Sequence, residues 1–174
     1  MRPALTFAVD YFRDSKNLVA VEIGVDIGGN AMEIYSALKG RLKVLYLVDP
    51  YLAQHQNENV PTRIEQMLTQ ILGNDKTMFF RLPSVDAARM FAPLGAQFDY
   101  VYIDGDHDYE MAMLDLIMWY PLVKNKGILA GHDWGHIPAV RAAVQDFMNH
   151  SGRHRGQICI GDHNKEDWWI VKDV

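Results

Sequence analysis

Apolar and polar positions alternate along the chain in two distinct rhythms. Leu18–Gly24, Lys43–Asp49, Phe98–Asp104 and Gly127–His132 are short, nearly continuous apolar runs closed by Gly, Asp or His, and Met78–Leu82 is a weaker fifth run. Runs of this kind fit strands buried on both faces, as in a parallel sheet. Between them, Ala31–Leu38, Pro61–Leu72, Val85–Phe91, Tyr109–Leu122 and Pro138–His150 place apolar residues three and four apart, the period of a helix with one buried face. Pro61 and Pro138 suit first-turn positions, Ser84 just precedes a helix start, and Gly73 stands where a helix C-terminal glycine belongs. The alternation predicts an open α/β sheet with right-handed crossovers. The tail breaks it: Gln157–Ile160 and Asp167–Lys172 flank a polar loop and read as a strand pair.

Length and composition narrow the picture. One hundred and seventy-four residues fit one domain, 1–174, with 1–15 as a short N-terminal cap. Seventeen Lys and Arg against 22 Asp and Glu leave a net charge of −5, which argues against a binder of nucleic-acid backbones. A single Cys excludes an intramolecular disulfide and a Cys-based zinc site. No apolar run approaches the ~18 residues that a membrane span requires. These features lead us to expect a cytoplasmic chain with neither a nucleic-acid nor a membrane partner. The short cap leaves the pocket open or completed by a neighbouring subunit, so a homo-oligomer is expected. Trp168 and Trp169, adjacent in a strand, should put one ring on each face, and the nine Met residues read as core filler.

The chemistry-bearing residues lie at the ends of the apolar runs. Glu22, Gly24, Gly28 and Gly29 form the first strand-to-helix turn, where glycines allow a sharp bend and close approach to a ligand. The spacing is not that of a dinucleotide pyrophosphate loop, and the carboxylate of Glu22 suits a cationic or hydroxyl-rich ligand instead. Asp49 closes the second run 21 residues after Gly28, the spacing of an acid that accepts hydrogen bonds from ribose hydroxyls. The pair favours nucleoside binding over a bare turn.

Asp104, Asp106, His107 and Asp108 follow the Phe98 run, and His132, Asp133 and His136 follow the Gly127 run. Both groups leave the sheet at its carboxyl edge, where open α/β folds place ligands. Asp108 reads as a helix N-cap or first-turn acid and His136 as a solvated loop residue. Asp104 and Asp133 emerge from buried strands and must be satisfied by a metal, a substrate hydroxyl or base chemistry.

Taken together, Val21-Glu22-Ile23-Gly24 with Gly28-Gly29, Val48-Asp49-Pro50, Ile103-Asp104-Gly105-Asp106-His107 with Tyr109-Glu110, and Gly127-Ile128-Leu129 with His132-Asp133 resemble class I S-adenosylmethionine-dependent methyltransferases. Within that class the chain is most similar to small-molecule O-methyltransferases of the macrocin type, in order from about Leu18 to Phe147. The resemblance implies a Rossmann-like, doubly wound, seven-stranded and mostly parallel sheet with an antiparallel last strand and helices on both faces. It implies that Glu22–Gly29 cradles the amino-acid part of S-adenosylmethionine, with Asp104 beside it, and that Asp49 holds the ribose. In metal-dependent relatives the positions of Asp104, His132 and Asp133 hold a divalent ion.

Two departures stand out. His132 replaces the usual acid, which suits Mn²⁺, Fe²⁺ or Zn²⁺ better than Mg²⁺, or else a metal-free site with His132 or His107 as general base. Pro83 stands where relatives often place an acid for adenine, leaving that task to Ser84, backbone groups or Asp86. Metal-assisted O-methylation, with His107 near the acceptor, is the leading expectation. A nicotinamide oxidoreductase and a non-catalytic binding or assembly module are the rivals from other classes.

Overall fold

In the computed structural model, residues 1–51, 60–72, 76–150, 159–160 and 166–173 are described. Strands β1 (Leu18–Ile23), β2 (Leu42–Val48), β3 (Thr77–Phe80), β4 (Phe98–Ile103), β5 (Val123–Gly131), β6 (Cys159–Ile160) and β7 (Trp168–Val171) form a seven-stranded sheet in the order β3-β2-β1-β4-β5-β7-β6. The first five strands are mutually parallel, and β7 runs antiparallel to both β5 and β6. The strand order reverses between β1 and β4, which opens the crevice where such sheets bind ligands.

Period-two alternation in the strands sorts the helices into two layers. Val21, Ile23, Val101, Ile103 and Leu129 face α4 (Ser84–Phe91), α5 (Tyr109–Trp119) and α6 (Pro138–His150). Ala20, Tyr100, Tyr102, Ile128 and Ala130 face α1 (Pro3–Tyr11), α2 (Gly29–Leu38) and α3 (Val60–Leu72). Trp168 joins the first core and Trp169 the second, one ring per face as the strand period requires.

Most elements fall where the periodicity puts them, with two kinds of exception. The cap contains α1, whose Ala4, Leu5 and Ala8 are fully buried; Pro3 starts it at a position where a missing N–H costs nothing. The methionines do not fill the core. None is among its buried residues; Met1, Met67, Met78 and Met111 are exposed, and the others lie at its margins, packed against aromatic and aliphatic side chains. Residues 157 and 158, expected at the start of β6, and Gly73 lie outside the described residues. No helix among the described residues is long and apolar enough to cross a membrane.

Candidate active site

The parallel strands end on a common rung. Asp49 N–H donates to Phe80 O, Gly24 N–H to Val48 O, Asp104 N–H to Ile23 O and His132 N–H to Ile103 O, at 2.7–3.1 Å. Each residue just past a strand is thus held by the last carbonyl of its neighbour, and residues far apart in sequence line one edge.

Two glycines permit this edge. Gly24 has φ +83°, and a Cβ there would sit 1.9 Å from the Asp104 carbonyl oxygen. Gly131 lies under the Trp168 ring, which a Cβ would meet at 2.5 Å; Trp168 also donates its indole N–H to His132 O at 3.2 Å. Gly28, with φ +81°, is the N-cap of α2, and Gly29 opens the helix.

At the glycine turn, Glu22 is 1% exposed and accepts a hydrogen bond from Asn30 Nδ2 at 2.9 Å. Among the described residues, its Oε2 and the Oδ1 of Asn30 have no hydrogen-bond partner. Burial pushes the Glu22 carboxyl up to about 8, with the Asn30 contact opposing. Asp49 folds the turn around itself: Oδ2 accepts the N–H groups of Val25 (2.8 Å) and Asp26 (3.0 Å), and Oδ1 accepts Tyr51 N–H at 2.7 Å.

The second group forms over an apolar hollow floored by Ala112, Leu116, Val140, Val144 and Trp168. His107 Nε2 lies 2.7 Å from Asp133 Oδ2, and Asp133 Oδ1 lies 3.1 Å from His132 Nδ1. Asp104 Oδ1 is 3.8 Å from the same His132 nitrogen. Burial raises the Asp104 carboxyl, with Arg2 and His132 opposing and Asp133 adding to the shift. Asp133 takes φ +64°, a left-handed conformation that Asp tolerates better than most residues. Donor atoms of Asp104, His107 and Asp133 all lie within 4.8 Å of one another. The structure therefore gathers both expected carboxylates with His107, while His132 flanks the group and reaches Glu166 Oε2 with its other nitrogen at 3.6 Å.

Ser84 turns inward. It donates to Asp115 Oδ1 and receives the Trp119 indole N–H at 2.7 Å, so its hydroxyl belongs to the packing of α4 on α5. Asp86, on the first turn of α4, pairs with Arg89. Asp108 stands at the N-cap of α5 without a side-chain cap bond, and exposed His136 contacts Glu166 at 3.3 Å. Sequence reasoning misses Arg2, Asn30, Glu166 and Asp167, which reach these groups from other elements. Asp167 alone carries a signal, as an acid at the start of an expected strand.

A doubly wound sheet with an acid-bearing glycine turn and a second-strand acid has the layout of α/β folds that bind nucleoside cofactors. Residues 21–134 match the family described as "Methyltransferase domain", well over half of the chain, and the chain belongs to that family. No curated protein sequence matches it. Similar solved structures include the O-methyltransferase NovP, with 17% identity, TM-score 0.72, and coverage of 98% of this chain and 78% of that one. CalS11, a TDP-rhamnose 3'-O-methyltransferase in calicheamicin biosynthesis, has 14% identity and TM-score 0.73 over 97% of this chain and 76% of its own. The Podospora anserina methyltransferase PaMTH1, bound to S-adenosylhomocysteine, has 13% identity and TM-score 0.72 over 98% and 76%. At these identities the likeness is one of fold. The family decides among the classes left open by the sequence: the protein is an S-adenosylmethionine-dependent methyltransferase.

Proposed function

We propose that the chain methylates a hydroxyl oxygen of a small molecule at the ends of β4 and β5. The observation that carries this reading is the convergence of Asp104, Asp133, His107 and His132 over an apolar hollow. S-adenosylmethionine supplies a methyl group already activated on a sulfonium, so the chain's own task is to align the acceptor and manage its proton.

Glu22 would receive the cofactor's ammonium, for which its unpartnered buried oxygen is suited, and Asp49 would receive the ribose. The 2.7 Å contact between His107 Nε2 and Asp133 places a carboxylate behind the imidazole, orienting the ring and leaving Nδ1 to accept a proton from the acceptor hydroxyl. His107 is 53% exposed, within reach of a ligand entering from solvent.

The same residues fit a divalent cation. Two carboxylates and an imidazole nitrogen within 4.8 Å of one another form a mixed O and N donor set suited to Mn²⁺, Fe²⁺ or Zn²⁺, and Mg²⁺ less well. Asp104 and Asp133 would hold such an ion with His107 or His132, and it would supply acidification of a bound hydroxyl. The second reading, methylation without a metal, draws on the His107–Asp133 contact as a base and its orienting acid.

Incubation with methyl-labelled S-adenosylmethionine and a panel of catechols and sugar nucleotides tests the proposal. Label recovered as an O-methyl ether supports it. Label recovered only on nitrogen or carbon, or only on RNA, overturns it.

A further inference from the structure

A guanidinium from the N-terminal cap reaches the acidic edge. Arg2 donates from Nη1 to Tyr102 Oη at 3.0 Å, and its Nη2 lies 3.3 Å from Asp104 Oδ2. Its Cζ is 5.6 Å from the Tyr102 ring centroid. Tyr102 in turn donates to Asp167 Oδ1 at 3.0 Å, and Asp167 Oδ2 accepts the Ala4 N–H at 2.9 Å. Asp167 is fully buried, so it anchors both the first turn of α1 and the phenol on which Arg2 rests. The guanidinium is therefore held in place rather than waving in solvent. It has five N–H donors, more than these contacts use.

Glu22 lies on the same side. Strand alternation puts it on the face of Ala20, toward α1 and α2, and its register partner on β4 is Tyr102, the residue under Arg2. Its Oε2 is buried without a partner among the described residues. The edge thus presents a carboxylate oxygen unpartnered among the described residues and a positioned guanidinium with spare donors. A free α-amino acid carries the complementary pair, an ammonium and a carboxylate on one carbon.

We propose that Arg2 binds the α-carboxylate at the amino-acid end of S-adenosylmethionine while Glu22 takes the α-ammonium. Planar two-point recognition of a carboxylate is what a fixed guanidinium provides. The inference rests on the glycine turn being the cofactor cradle, and it assigns α1 a part in binding the cofactor. Arg2 acts here as a binding residue; no step of the methyl transfer passes through it.

The test is titration calorimetry on the full chain with two ligands. S-adenosylhomocysteine carries the α-carboxylate, and decarboxylated S-adenosylmethionine keeps the ammonium but lacks the carboxylate. Arg2→Ala should weaken S-adenosylhomocysteine about ten- to hundredfold, the loss of a charge-assisted contact, and change the decarboxylated ligand less than about twofold. Arg2→Lys, which keeps the charge and loses the fork, should fall between, and it covers the case in which Arg2→Ala does not fold. Equal losses for both ligands would show that Arg2 only anchors α1 or balances Asp104, and overturn the inference, as would no loss for either. Failure of the unaltered chain to bind S-adenosylhomocysteine would instead overturn the cofactor cradle itself.

Discussion

Burial moves the Glu22 carboxyl into the range near neutral pH, and under the proposed function its titration is tied to the cofactor's ammonium. Its ordinary value near 4.5 is raised to about 8 by burial. Between those values the folded chain holds a proton that the unfolded chain has released, so this group's contribution makes stability fall as pH rises through the window. Glu22→Gln removes the titration while keeping a side chain that Asn30 can contact. The expected result is a flatter melting temperature between about pH 5 and 8 and a higher one above pH 8. Binding of an ammonium requires the ionised carboxylate, so S-adenosylhomocysteine should release a proton on binding below pH 8, and its affinity should climb by up to about tenfold per unit as pH rises. Calorimetry in buffers of different ionisation enthalpy measures both. Asp49 works differently, because its oxygens already accept three backbone N–H groups. Asp49→Ala should weaken the same ligand by about 1.5–3 kcal/mol and also lower the melting temperature, since it strips acceptors from the turn. Unchanged affinity would remove the ribose assignment.

At the scale of elements, the site depends on strand ends being brought into contact without side chains between them. Gly24→Ala would force a Cβ into the Asp104 carbonyl at an already left-handed φ, and the β1 and β4 ends would have to part. A loss of about 3 kcal/mol or more is expected, read as a fall in the denaturation midpoint. Gly29→Ala, where a Cβ meets nothing within 4 Å, is the contrasting case and should be mild. The strand ends are legible in the sequence because buried parallel strands leave an apolar run that stops abruptly at a polar residue, as at Val48-Asp49 and Ile103-Asp104. The helices after β1 are legible by period alone, Pro138–His150 to the residue, whereas α1 is not. Ser84 shows the limit. A serine near a helix start signals a cap or a ligand contact, and nothing local reveals that Trp119 and Asp115, more than thirty positions on, take its hydroxyl. Arg2 is illegible for the same reason, since its partners Tyr102, Asp104 and Asp167 are distant in sequence and meet it only through the fold. His107 and His132 are both visible as candidates, but that both rings turn toward Asp133 is set by loop geometry after β4 and β5.

At the scale of the whole molecule, the strand order β1-β4-β5 decides what chemistry the edge can perform. Neighbouring parallel strands lie about 4.8 Å apart, close enough for side chains just beyond their ends to share one ion. Asp104 and Asp133 meet in this way, with His107 joining from the loop after β4. Two carboxylates at such range repel one another, and burial adds to the cost of ionising Asp104. Arg2 offsets part of this charge, and a divalent cation would offset more. Chelation is therefore expected to abolish methyl transfer while leaving the affinity for S-adenosylhomocysteine within about threefold, because the cofactor contacts proposed above, at Glu22, Asp49 and Arg2, use none of the cluster's donor atoms. Mn²⁺, Fe²⁺ or Zn²⁺ should restore transfer at least as well as Mg²⁺, given an imidazole among the donors. His107→Ala and His132→Ala should each lower Mn²⁺ affinity, since a ring nitrogen of each lies beside the carboxylates. His132→Asp, adding a carboxylate beside them, should move the preference toward Mg²⁺. Full transfer in chelator with His107→Ala inactive would instead leave His107, backed by Asp133, as the base.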